Sequence, residues 1–151
     1  MSVENYTADR VINGTYGEVW VDGDYIAEVT GLEAKVSLDK TDVQQVRRLA
    51  KGSKVTGMSG KGTLKTNKTR SYFLNKLSKS MQAGKCPTST IKSKLADPDS
   101  YGAEAILLKG VSFDELTLAD FEGGKLGEES IAFTFTGWEI IDSIDVDYTQ
   151  A

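Results

Sequence analysis

Four kinds of group in this chain have the residue types that chemistry uses. They are the lone thiol Cys86, the carboxylate pairs Asp97/Asp99, Asp114/Glu115 and Glu128/Glu129, the glycine-rich run GMSGKGTLK at residues 57–65, and the cations Arg47, Arg48, Lys51 and Lys54. None assembles into a reaction centre. A cysteine nucleophile needs a neighbouring base to raise its thiolate fraction, and the sequence contains no histidine. The same absence removes Ser-His pairs and His/Cys zinc sites. Adjacent carboxylates on a strand point to opposite faces, so Asp114/Glu115 and Glu128/Glu129 read as solvated side chains. Asp97 and Asp99 lack the spacing and the glycine of a calcium loop. The glycine run contains no GxxxxGK[ST] and enters a strand, where a phosphate loop opens a helix, so its glycines read as points of close backbone approach in a sheet. The chain therefore reads as a non-enzyme without metal or cofactor.

Composition bounds the alternatives. A length of 151 residues fits one domain, and 39% hydrophobic with 26% charged residues is ordinary for a globular chain. No apolar run approaches the roughly 20 residues of a membrane helix, and the polar start MSVENYTADR shows no secretory signal. The single cysteine excludes an internal disulfide framework. Charge is segregated: residues 35–94 carry 15 Lys and Arg against Asp39 and Asp42, whereas residues 111–151 carry ten acids against Lys125 alone. Such a split either neutralises within one fold or presents opposite faces for head-to-tail self-association. The basic centre raises a nucleic-acid-binding module as an alternative, but its lysines are spread over several elements without a groove-reading one.

The elements that must position these groups follow from periodicity. Residues 1–14 read as a polar extended arm. Val19, Trp20 and Val21 run into Asp22-Gly23, a tight-turn dipeptide, and the chain returns over residues 25–38 with Ile26, Leu32, Ala34, Val36 and Leu38 on one face. Fourteen extended residues reach roughly 45 Å, longer than a typical strand, so this one is expected to project from its domain or bend at Gly31. Residues 39–59 show no clear period and read as a long mobile loop of the functional kind. Residues 60–68 read as strand. From Arg70 the period changes: Phe73, Leu74, Leu77 and Met81 form the stripe of one helix, with Thr69 as N-cap and Gly84 as stop. Residues 88–95 alternate as a strand, Asp97-Pro98 turns the chain, and residues 103–113 are buried strand that Leu116, Leu118 and Phe121 continue loosely. Residues 129–141 are a strand with Ile131, Phe133 and Phe135 inward and Ala132, Thr134, Thr136 and Trp138 outward. A single helix stripe must lie on a sheet, giving a mainly β (α+β) fold: a β-sandwich or partial barrel with one flanking helix, spanning 15–142, with an acidic tail at 143–151.

In order and spacing, the GEVWVDGDYIAEVTGLEAKV hairpin, the basic loop, the TGMSGKGTLK strand, the RSYFLNKL helix, the LADPDSYGAEAILLKGVSFDE segment and the EESIAFTFTGWEII strand resemble the XkdM-like tail tube proteins of contractile-tailed phages and phage-like elements. The resemblance runs from about residue 14 to 142. It implies hexameric rings that stack into a hollow tube inside a contractile sheath, with baseplate, initiator and terminator proteins as further partners and DNA passing through the lumen without specific binding. It places the protein in a virion tail assembled in the host cytoplasm, with the tubes of bacteriocins or secretion particles as alternatives. On that reading the long strands of each subunit close an inner barrel, and Arg47, Arg48, Lys51 and Lys54 reach the next ring to meet acids such as Asp142 and Asp145. Glu28 and Glu33 are the lumen candidates; they lie on opposite faces of a regular strand, so both face inward only if a bulge intervenes.

Overall fold

The computed structural model describes residues 6–145. β1 (Gly17–Val21) turns at Asp22-Gly23, both with positive φ of 50° and 84°, into β2 (Asp24–Tyr25). This is the two-residue turn whose twist matches that of its strands. The expected continuous return over 25–38 is broken. Ile26 is fully buried, with its amide donating to the Val19 carbonyl, and the chain then leaves to pair elsewhere as β3 (Val29–Val43). By register Ile26 lies opposite Val19, which is buried as well, so Ile26 is the last residue held against β1 before the chain departs.

β3 pairs antiparallel with β4 (Gly52–Asn67), from Val29 opposite Thr66 to Val43 opposite Gly52. The long loop expected at 39–59 is therefore corrected to a connection of residues 44–51 only. The alternation there was hidden by a bulge: Leu38 pairs Met58 but Lys40 pairs Val55, so Val55 and Met58 share a face at a spacing of three.

The helix α1 (Tyr72–Gln82) starts with Ser71, not Thr69, at the N-cap position. Gly84, at φ 71°, ends it, its amide donating to Met81 and that of Lys85 to Ser80. Phe73 and Leu77 are buried, and Met81 packs at the margin of the core. Then follow β5 (Thr88–Leu95), β6 (Glu104–Phe113), β7 (Glu128–Phe135) and β8 (Gly137–Asp142). The expected strand over 129–141 is split at Thr136, whose amide bonds the Lys109 carbonyl. The shift sets Trp138 opposite buried Leu108, on the core side and not beside Ala132 and Thr134.

All strands join one antiparallel sheet, β2-β1-β5-β6-β7-β4-β3, with β8 alongside β6. β1 and β3 stand near opposite ends of that order yet approach each other, so the sheet curls into a partial barrel that stays open. Val19, Val21, Leu64, Ile91, Val111, Ile131 and Phe133 fill it, and Phe73, Phe113 and Phe133 stack edge to face at 5.5 and 6.2 Å between centroids. The mainly β fold with one flanking helix is thus what forms, as one curled sheet instead of two separate ones. The described part of the arm is not extended: it makes two 3₁₀ turns, Ala8–Arg10 and Gly14–Tyr16. The Asn13 amide donates to buried Asp97 at 2.8 Å, and Arg10 bonds the Asp99 carbonyl at 3.2 Å. The tail expected at 143–151 lies mostly outside the described residues.

Candidate functional site

The exceptional element is the β3-β4 ribbon. β7 covers β4 only from Gly60 to Asn67, so eight residues of β4 and their partners on β3 project beyond it, roughly 25 Å at strand rise. Directly paired residues share a face. One face carries Val36, Leu38, Met58 and Val55, all exposed, with Lys40 and Asp42 on the same face towards the tip, and continues inward through Ala34 and Leu32 to an apolar groove also lined by Ile106, Phe135 and Trp138. The opposite face carries Glu33, Lys35, Lys61, Ser37, Ser59, Asp39, Thr41 and Lys54. The outer edge of β3 has no ladder partner among the described residues. An amphipathic two-stranded ribbon with an open edge and a bare apolar face is unsatisfied in a lone molecule.

Arg47, Arg48 and Lys51 sit in the connection at the ribbon tip and Lys54 just below it, with Val46 91% exposed and Leu49 wholly so. Asp142 and Asp145 are not brought to them. β7 and β8 run towards the tip side of the sheet, and Asp142 ends β8 opposite Ala105. The bulge required for Glu28 and Glu33 to share a face exists: Val29 pairs Thr66 and Gly31 pairs Lys65, leaving Thr30 extra. Their surroundings differ, however. The Glu28 side chain is 12% exposed and accepts from Arg70 Nε at 2.8 Å, whereas Glu33 is exposed and paired with Lys35 at 3.1 Å.

Other carboxylates are structural. Glu129, expected to be solvated, is buried and pairs with Lys68 at 3.2 Å. Asp22 contacts Lys76 at 2.6 Å and the Thr90 amide at 2.8 Å. Burial opposes its ionisation, but the hydrogen bonds from Lys76 and Thr90 outweigh that and hold its carboxyl below the usual range. The Tyr72 hydroxyl donates to Asp24 at 2.8 Å; burial, then the carboxylates of Asp24 and Asp22, push its ionisation well up. Cys86 is exposed beside Ser112. Leu118 and Phe121, expected to continue the buried strand with Leu116, stand in solvent between β6 and β7, and so does Leu126. The signal was present in the acids and glycines interleaved with them, Asp120, Glu122, Gly123 and Gly124.

A family model described as "Phage tail tube protein" matches residues 4–142. The chain belongs to the phage tail tube protein family. As a tail tube protein it is 30% identical over 139 residues to the phage-like element PBSX protein XkdM of Bacillus subtilis (strain 168), covering 91% of this chain and 95% of the relative. Its fold is similar to a chain of an extracellular contractile injection system sheath-tube complex in the extended state, with TM-score 0.67 at 12% identity, covering 90% of this chain and 98% of that one. It is also similar to a chain from the tail of an empty gene transfer agent particle refined with C6 symmetry, with TM-score 0.52 at 12% identity and coverage of 86% and 98%. In this tail tube protein the ribbon is the element whose edge and apolar face have no covering partner among the described residues.

Proposed function

We propose that this protein assembles with copies of itself into six-membered rings that stack as the tube of a contractile tail, within a sheath and between baseplate and terminator proteins, as a conduit for DNA. The observation that carries the reading is the ribbon. Its uncovered apolar face and free β3 edge are completed when neighbouring subunits bring theirs alongside, which closes an inner barrel and removes the edges. The family membership and the C6 symmetry of one structural relative support ring closure and its number. The polar ribbon face then lines the lumen, and the basic tip reaches along the axis to the next ring, a heterologous contact that propagates. Location in the virion tail, after assembly in the host cytoplasm, follows from the same reading.

The test is negative-stain electron microscopy and sedimentation of the purified chain over a concentration series, beside Leu38→Glu and Met58→Glu. Wild type is expected to form rings or hollow tubes and both variants to stay monomeric. Since both side chains are exposed in the monomer, the variants should melt within about 1 kcal/mol of wild type. Variants that assemble like wild type would remove the ribbon from the interface.

A further inference from the structure

The ribbon has two ends of opposite character. At the tip, residues 44–54 hold Arg47, Arg48, Lys51 and Lys54 and no acid, around exposed Val46 and Leu49. At the base, residues 114–128 hold Asp114, Glu115, Asp120, Glu122 and Glu128 against Lys125 alone, around exposed Leu118, Phe121 and Leu126. Topology fixes this segment at the base: Glu128 pairs with Asn67, the last residue of β4, and the Lys68 amide donates to the Gly127 carbonyl at 2.8 Å. A cleft of about 360 Å³ opens there, lined by Asp120, Phe121, Glu122, Leu126 and Glu128 against Thr30 and Lys65 of the ribbon. Buried Glu129 also borders it and is paired with exposed Lys68. Some fourteen paired residues separate the ends, roughly 45 Å at strand rise.

We infer that the ribbon tip of one copy docks into this base cleft of a second copy placed head to tail along the ribbon axis. The inference rests on the tube reading above and names the socket that the tip finds on the next ring. Val46 and Leu49 leave water against Phe121 and Leu126, and the tip cations face Asp120, Glu122 and Glu128. Opposite charge on the two ends of one element also sets polarity, because tip meeting tip or base meeting base brings like charges together. Asp142 and Asp145, on the tip side of the sheet, are not at the receiving end of such a stack.

The experiment uses the full chain and reverses each end. Arg47→Glu with Arg48→Glu, and separately Asp120→Lys with Glu122→Lys, should each cut the sedimentable tube fraction about tenfold or more, with melting unchanged because all four positions are exposed. The chain carrying all four reversals should recover tubes to within about threefold of wild type. Base reversal without effect, rescue of the reversed tip by Asp142→Lys with Asp145→Lys, or a well-folded fourfold variant that does not assemble would each overturn the socket. Wild type that never assembles would instead sink the tube reading itself, so the two failures are distinguishable.

Discussion

Asp22 shows how much one side chain can hold in a fold that is mostly backbone ladder. Its backbone takes the left-handed conformation at the β1-β2 turn, its amide donates to the Thr90 carbonyl on β5, and its carboxylate receives Lys76 from α1. Asn tolerates the same conformation and keeps one acceptor, so Asp22→Asn isolates the charge. With the side chain 33% exposed, the expected loss is modest, about 1 kcal/mol at neutral pH. A depressed folded-state pKa contributes stability that is present above the unfolded value, near 3.8, and is lost as pH falls through the folded one. Denaturation at neutral pH and at about pH 2 should therefore show the gap between wild type and Asp22→Asn closing in acid. A constant gap would mean that the turn geometry, not the ion pair, carries the effect. At this scale the sequence was half legible: Asp22-Gly23 announced its turn by type, but nothing local announced Lys76 or Thr90 as partners, because those contacts exist only once the sheet and helix are docked.

At the scale of elements, period decided what was readable. Residues 88–95, whose two faces have settled environments, showed it plainly, and so did the helix stripe of Phe73, Leu77 and Met81, whereas residues 104–113 were legible from continuous apolarity and not from period. The ribbon did not, since its outer half has no buried face to enforce alternation and its bulge moves Val55 out of step with Met58. Trp138 failed for the same reason, displaced by the break at Thr136. The glycine run was legible in kind but not in detail. A Cβ at Gly62 would lie 2.5 Å from the Glu33 carbonyl oxygen and press on the Phe133 ring, while at Gly57 it meets only the Asp39 side chain at 2.9 Å. Gly62→Ala is expected to cost about 1–3 kcal/mol by overpacking, since neither a ladder carbonyl nor a core ring can retreat. Gly57→Ala, against a flexible exposed carboxylate, should cost under about 0.5 kcal/mol. Thermal melts of the two variants, at about 2–4 °C per kcal/mol for a chain of this size, separate them; equal melting points would mean that the strand, not the aromatic, yields.

For the whole molecule, the consequence lies in how the polar face of the ribbon is charged. With that face inward, each subunit presents Glu33 and Asp39 together with Lys35, Lys61 and Lys54, and Lys65 opposite Gly31 extends the row. Glu28 shares the face by register, yet its carboxylate is spent on Arg70 and largely covered. Lysines therefore outnumber free acids, the reverse of the sign that Glu28 and Glu33 alone would give that face. In the proposed six-membered ring the repeat would multiply the excess around a narrow aqueous path, where low-dielectric walls focus the field and make the sign decisive. Tubes placed across an artificial bilayer should pass anions in preference to cations at low salt, and the preference should fade as the Debye length shrinks to about 8 Å near physiological ionic strength. Glu33→Gln should strengthen it by freeing Lys35, Lys61→Gln with Lys65→Gln should reverse it, and Glu28→Gln should leave it nearly unchanged while lowering stability through unpaired Arg70. Cation preference in wild type would place a different face of the ribbon on the lumen. On the proposed conduit reading, a weakly positive wall holds a polyphosphate chain loosely at physiological salt, so transit would depend on screening as well as on smoothness, and the lysines of this one face would set how readily DNA slides.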